Sequence, residues 1–219
     1  NADKEARKLI RQAKRRNPNS SIAVIGCYAQ LKPKDIAAMN GVDIVLGAEE
    51  KFNLLKYLNH NGLNGAATVI QSEIDNVHKF TPSYSSGERT RSFVKVQDGC
   101  DKHCTFCVIP FVRGRAISRP LTSLLDEARG IIDAGFHEIV ITGVNLGRYQ
   151  HGGTNFATML ESLLSLPGDF RVRLSSLEPD PLLTPAIDLL ADQRLCPHLH
   201  LCLQSGSDRI LLAMRRLYD

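Results

Sequence analysis

The sequence predicts an α/β fold: an N-terminal parallel α/β unit followed by a partial (β/α) barrel. Three observations carry this reading. Short Val, Ile and Leu runs alternate with stretches of helical periodicity along most of the chain. A polar, Ser- and Thr-rich stretch, Gln71 to Arg91, interrupts that alternation once. The 219 residues are 43% apolar and 23% charged, which fits a packed core and excludes a disordered chain. The division is therefore residues 1–75 as the first unit, 76–92 as linker and 93–219 as the barrel segment.

The chain opens on a helix, because Ala6, Leu9, Ile10 and Ala13 recur at helical spacing as an apolar stripe. Lys4, Arg7, Lys8, Arg11, Lys14, Arg15 and Arg16 form its outer face, read as solvated or, alternatively, as a nucleic-acid contact. Residues 1–92 hold 14 Lys and Arg against 9 Asp and Glu, while 93–219 hold 13 against 14. The positive charge thus belongs to the first unit. Asn17-Pro18-Asn19-Ser20 ends the helix. Ile22–Ile25 reads as a short buried strand leading to Gly26-Cys27, Pro33–Met39 as a helix, Val42–Leu46 as a second strand and Glu49–Leu58 as an amphipathic helix.

In the second part the predicted strands are Phe93–Gln97, Glu138–Thr142, Arg171–Ser175 and His198–Leu203. The predicted helices are Leu121–Ala134, Phe156–Leu166, Thr184–Ala191 and Asp208–Arg216. Four β/α units in succession suit part of a barrel, with a doubly wound sheet as the alternative. Every strand exits into small or polar residues: Asp98-Gly99-Cys100, Thr142-Gly143-Val144-Asn145, Ser175-Ser176-Leu177-Glu178 and Gln204-Ser205-Gly206-Ser207. In a parallel barrel these exits share one face, where active sites form.

Apolar runs such as Ile139–Ile141 are far below the ~18 residues of a membrane span. No signal peptide opens the chain, which starts at Asn1, so the sequence reads as an internal piece of a longer cytoplasmic protein with no membrane partner. Six cysteines without an export signal point to metal or redox chemistry, not a disulfide scaffold. Cys100-Asp-Lys-His-Cys104-Thr-Phe-Cys107 places three thiols on one tight loop. Three thiolates can hold three irons of a 4Fe–4S cluster and leave the fourth iron open. Structural zinc is the alternative, with His103 as the only nearby fourth ligand.

This Cys-x3-Cys-x2-Cys pattern, with Phe106 before the third Cys, resembles the radical S-adenosylmethionine superfamily. Gly26-Cys-Tyr-Ala-Gln30, Phe93-Val-Lys-Val-Gln-Asp-Gly-Cys100, Ile141-Thr-Gly-Val-Asn-Leu-Gly147, Arg173-Leu-Ser-Ser-Leu-Glu-Pro179 and His198-Leu-His-Leu-Cys-Leu-Gln-Ser-Gly-Ser207 narrow the likeness. Together they resemble the methylthiotransferases, above all the branch acting on N6-threonylcarbamoyladenosine beside the tRNA anticodon. Sibling branches act on isopentenyladenosine in tRNA or on a ribosomal-protein aspartate.

The resemblance implies that Cys100, Cys104 and Cys107 ligate the catalytic cluster and that S-adenosylmethionine binds its open iron. Reductive cleavage would then give a 5′-deoxyadenosyl radical, with electrons from a donor such as flavodoxin or ferredoxin. Phe106 would lie beside the adenine, and Thr142, Gly143 and Asn145 near the methionine end. Ser175, Glu178 and Gln204 are further cofactor-binding candidates. Cys27 would be one of three ligands to an auxiliary cluster that supplies sulfur, the other two cysteines preceding this segment. The segment itself is therefore expected to lack sulfur transfer.

Other features weigh less. Cys196, His198, His200 and Cys202 alternate and could share one side of a strand, but Leu199, Leu201 and Leu203 filling the other side favour plain strand alternation. Arg173 is placed to meet a carboxylate or phosphate. Arg113, Arg115 and Arg119, near Phe111, read equally as RNA-phosphate contacts or as a solvated loop. A zinc-stabilised nucleic-acid-binding module without catalysis is the competing reading of another class.

Overall fold

The computed structural model describes residues 2–60, 66–85, 90–179 and 181–218, without the side chains of Asn59, His60 and Leu182. The chain divides into two units, Asn1–His78 with Phe111–Gly114, and Lys79–Pro110 with Arg115–Asp219.

In the first unit, helix α1 (Ala2–Arg16) precedes strand β1 (Ala23–Ile25), short helices α2 (Cys27–Leu31) and α3 (Pro33–Ala37), and strand β2 (Ile44–Leu46). A 3-10 turn, Glu50–Asn53, leads into α4 (Leu54–His60), and β3 (Thr68–Ile70) follows. The strands form a parallel sheet in the order β1-β2-β3, with Ala23 opposite Ile44 and Ile44 opposite Thr68. Its core is small: Ile10, Ile22, Ala29, Ile36, Val42 and Val45. Pro33 at the start of α3 uses a position whose N–H has no helical partner.

In the second unit β4 (Ser92–Lys95) is followed by β5 (Gln97–Asp98) and β6 (Ile117–Ser118), and the chain between them forms helix α5 (Ile109–Arg113), whose residues from Phe111 on belong to the first unit. Then come α6 (Leu121–Asp133), β7 (Glu138–Thr142), a hairpin of β8 (Gln150–His151) and β9 (Thr154–Asn155), and α7 (Phe156–Leu164). The chain continues through β10 (Arg171–Leu174), β11 (Ser176–Leu177), β12 (His200–Leu201) and α8 (Asp208–Ala213). The parallel sheet runs β10-β7-β4, so β7 is central. Val94, Ile139, Ile141, Val172 and Leu174 meet Leu124, Ala128 and Ile131 of α6 and Phe156, Met159, Leu160 and Leu163 of α7 in one core. Burying side chains of this size stabilises by about 1.5–3 kcal/mol each. Asn155 caps α7, its Oδ1 accepting the Thr158 N–H at 3.0 Å. No helix among the described residues is long and apolar enough to cross a membrane.

Several expectations are corrected. Leu9 is 57% exposed and only Ile10 of the α1 stripe is buried, so that helix touches its unit along a narrow line. The first strand is not buried throughout, since Ile25 is exposed. Between 71 and 91 the end of the polar stretch is ordered against the sheet: Tyr84 bridges Val94, and Lys95 donates to Ser83 O at 3.0 Å. Residues 86–89 of that stretch lie outside the described residues. Thr184–Ala191 forms 3-10 turns, Pro181–Ala186 and Asp188–Ala191, because Pro185 lacks the N–H that an α-helix needs.

The fourth strand is broken. Leu195 bridges Val172 and β12 pairs with β11, with Pro197 between the two pieces unable to donate to a ladder. Leu199, Leu201 and Leu203 are therefore exposed at 43%, 49% and 57%, not packed on a buried face.

Candidate active site

The loop bearing three cysteines is an excursion between β5 and β6, whose antiparallel pairing of Gln97 with Ser118 closes its base. Gly99 opens it with φ +70°, a conformation that suits a residue without Cβ. Asp98 Oδ1 accepts the Gly99 N–H at 2.9 Å, and Lys95 Nζ lies 3.2 Å from Asp98 Oδ2. Within the loop the Cys107 N–H donates to Cys104 O at 3.0 Å, so the chain turns between the second and third cysteines.

Cys100, Cys104 and Cys107 line one cavity with Phe106, Asn145, Glu178 and Gln204. These seven residues, predicted from cysteine spacing, strand exits and, for Phe106, the family resemblance, are brought together from four stretches of chain. Cys104 is buried, whereas Phe106 is 53% exposed. Gln204 stands at φ +64°, a left-handed conformation uncommon for a residue with Cβ.

Three predicted residues do not line the cavity. The Thr142 hydroxyl donates to Val94 O of the neighbouring strand at 3.1 Å. Gly143 sits behind it, where a Cβ would fall 2.8 Å from Leu146 Cδ2 and 3.2 Å from Gln97. Ser175 donates its N–H to Ile141 O, and its neighbour Ser176 faces the cavity instead.

The charges of the site are balanced around Glu178. Its Oε1 lies 3.0 Å from Lys102 Nζ and 2.9 Å from Arg216 Nη2, and its Oε2 accepts from Asn145 Nδ2 at 2.8 Å. Lys102, Glu178 and Asn145 are all more than nine-tenths buried. Asn145 Oδ1 is buried without a hydrogen-bond partner among the described residues. Two nitrogen donors face sulfur: the Lys102 N–H reaches Cys100 Sγ at 3.4 Å, and Arg216 Nη1 reaches Cys104 Sγ at 3.3 Å. Burial pushes the Cys100 thiol above its usual range, reinforced by the Glu178, Cys104 and Cys107 charges and opposed by the Lys102 N–H. Such a thiol gives up its proton when a metal takes its place. Among the described residues no three His, Cys, Asp or Glu side chains converge on a single-ion position.

Gln97, Lys102 and Arg216 escaped the sequence reading. Gln97, at the start of β5, is a fully buried polar residue that no local pattern marks. Lys102 is a charged residue between cysteines, and nothing in the sequence around it signals its burial against Glu178. Arg216 stands 112 residues from Cys104, and no local pattern links them.

Other candidates disperse. Cys196 is buried while His198 and His200 are exposed, so the four alternating residues share no face. Arg173 meets a carboxylate, its Nε donating to Glu138 Oε1 at 2.7 Å. Arg119 is 4% exposed and bound to Glu127 and Ser123, which removes it from any RNA contact. Arg115 is exposed and 3.3 Å from Asp101. In the first unit Cys27 is exposed at the start of α2, after Gly26 at φ +103° and ψ −165°.

Residues 94–219 match the radical SAM superfamily, and residues 1–47 match the uncharacterized protein family UPF0004. Over 219 residues the chain is 42% identical to threonylcarbamoyladenosine tRNA methylthiotransferase MtaB of Thermotoga maritima, covering 99% of this chain and 50% of that one. The Bacillus subtilis protein of the same name is 37% identical, covering 99% and 49%. A tRNA-2-methylthio-N(6)-dimethylallyladenosine synthase of Cereibacter sphaeroides is 35% identical over 94% of this chain and 48% of its own length. The chain spans about half the length of the curated relatives it matches.

Proposed function

From the premise that this chain belongs to the radical SAM superfamily, we propose that it is part of a tRNA methylthiotransferase. Its substrate is N6-threonylcarbamoyladenosine next to the anticodon. The observation that carries the reading is the single cavity shared by Cys100, Cys104, Cys107, Asn145 and Glu178.

Three thiols in one cavity, two of them already receiving N–H donors, suit a 4Fe–4S cluster with one open iron. Bound there, the cluster supplies the electron that cleaves the sulfonium of S-adenosylmethionine. The protein positions and shields. Cys100, Cys104 and Cys107 act as thiolate ligands. Lys102 and Arg216 neutralise Glu178 and hold the cysteine loop against the strand exits. Asn145, its Nδ2 committed to Glu178, keeps Oδ1 free to accept from the methionine ammonium group. Phe106 offers its ring to the adenine. For an auxiliary cluster the chain provides one thiol, Cys27. One thiolate does not fit a cubane, and no step is derived through it. The reading also implies a cytoplasmic site of action and a low-potential electron donor.

The substrate is read from four relatives named for threonylcarbamoyladenosine at 37–42% identity, against 35–36% for the relatives named for dimethylallyladenosine. Anaerobic reconstitution tests the chemistry: the chain should turn brown and cleave S-adenosylmethionine when reduced, and Cys104→Ala should abolish both. A colourless, zinc-loaded protein would overturn it in favour of a binding module. Nucleoside mass spectrometry of tRNA from cells lacking the full-length gene tests the substrate. Loss of methylthio groups from isopentenyladenosine alone would move the protein to the sibling branch.

A further inference from the structure

Helix α1 carries a row of cations that the fold does not use. Lys4, Lys8, Arg11 and Arg15 follow one another at spacings of four, three and four, so they line one face. At 1.5 Å per residue this row is about 16 Å long. All four are exposed, and none has an ion-pair partner among the described residues. Arg7, beside the row, donates Nε to Asp3 O at 3.2 Å and keeps its terminal nitrogens outward. Arg16, in the last turn, is exposed as well but lies off this row. Lys14 Nζ donates to Ser20 O at 2.7 Å and lies 3.8 Å from Asp43, and its stem packs where a Cβ on Gly41 would be. Asp3 lies 3.5 Å from Lys32. Glu5 is the one acid bordering the row. The structure thus separates a cation that builds the fold, Lys14, from four that do not.

We infer that this face of α1 is a docking surface for RNA, its occupant the phosphate backbone of the substrate tRNA. The inference rests on the tRNA reading above. Charge complementarity selects the partner, since a row of unneutralised Lys and Arg releases counterions when it meets consecutive phosphates. A lipid surface is disfavoured, because such helices insert an apolar face, and here Ile10 is committed to the core of its unit. The row contacts no base edge by design, so it supplies affinity and register without sequence preference.

The test is tRNA binding by fluorescence anisotropy across a salt series. It compares the native chain, a Lys4→Gln/Lys8→Gln/Arg11→Gln/Arg15→Gln variant and a control lacking Lys34, Lys56, Arg129 and Arg209, four exposed cations elsewhere. Each lost phosphate contact lowers the salt slope by about 0.7–0.9, so the α1 variant should lose about 3 from the slope and at least tenfold in affinity at ~0.1 M salt. The control should lose clearly less. Exposed positions leave the fold intact, which an unchanged melting transition checks, and a Lys8→Gln/Arg11→Gln variant should show about half the effect on the slope. Equal losses in the two quadruple variants would overturn the inference and leave the proposed function standing. So would an acidic polypeptide that binds as tightly as tRNA and is lost in the same variant, since the surface would then be a protein-docking one. No tRNA binding by the native chain would overturn it too. Iron–sulfur content and S-adenosylmethionine cleavage, which α1 does not touch, report separately on the proposed chemistry.

Discussion

Gln97 holds Asn145 by its backbone: Oε1 accepts the Asn145 N–H at 2.8 Å, and the neighbouring Val144 N–H at 2.9 Å. Its Nε2 donates to Asp98 O at 2.9 Å and Gly99 O at 2.8 Å. One fully buried amide therefore staples the base of the cysteine loop to the exit of the central strand. Four backbone groups depend on it.

Gln97→Leu should therefore cost about 2–4 kcal/mol, because it strands the buried Asn145 N–H and Gly99 C=O and loosens the half-buried Val144 N–H and Asp98 C=O. Urea unfolding measures this. Iron retained after reconstitution should fall in parallel, since the loop base loosens. A loss below ~1 kcal/mol would show that the strand exits are held by something else.

Glu178 is shared by two buried cations, so removing it should hurt more than removing either one. Glu178→Gln removes the carboxylate that Lys102 and Arg216 share, at a cost of about 3–5 kcal/mol. Lys102→Met leaves the Arg216 pair and should cost less. A double-mutant cycle between the two positions should give a coupling above ~1 kcal/mol. Additive effects would mean that the 3.0 Å ion pair contributes nothing to stability.

The acid limb of stability should carry the mark of Glu138. The hydrogen bond from Arg173 is the main reason its carboxyl lies below the usual range, ahead of the charges of Arg173, Arg91 and Arg171. A carboxyl lowered on folding stabilises above the unfolded value of about 4.3, and this is lost as pH falls through the native value. Glu138→Gln should thus be less stable by about 1–2 kcal/mol at pH 7, with the deficit shrinking toward pH 3. Urea unfolding at the two values decides it. A deficit that grows on acidification would reverse the assignment.

Where local pattern and tertiary environment agree, the sequence is readable. Glu138–Thr142 is a strand over the predicted span, because a run of Ile, Val and Ile in a central parallel strand needs no help. Leu121–Asp133 ends one residue before expectation. Thr68–Ile70 escaped notice because three residues carry no period, and α2 because its five residues make little more than one turn. Of the predicted fourth strand, His198–Leu203, only His200–Leu201 pairs, since Pro197 cuts these residues off from the bridge at Leu195. In the site, cysteine spacing and strand exits identified what faces the cavity. What holds those groups in place was hidden, since Gln97–Asn145, Lys102–Glu178 and Arg216–Cys104 are all pairings between distant stretches of chain.

The turn before Cys27 has a stereochemical consequence. At φ +103° and ψ −165°, Gly26 occupies the mirror image of an extended strand, a region closed to L-residues by their own backbone contacts. No side-chain collision enforces this, because a Cβ built there meets nothing within 4 Å. The position is thus selected for handedness alone and not for size. In a semisynthetic chain L-alanine at 26 should force Cys27 out of place, whereas D-alanine, for which these angles are an ordinary extended conformation, should leave the backbone of the turn relaxed. The orientation of that thiol is encoded by an achiral residue, and only the genetic code's lack of D-residues makes glycine its sole solution.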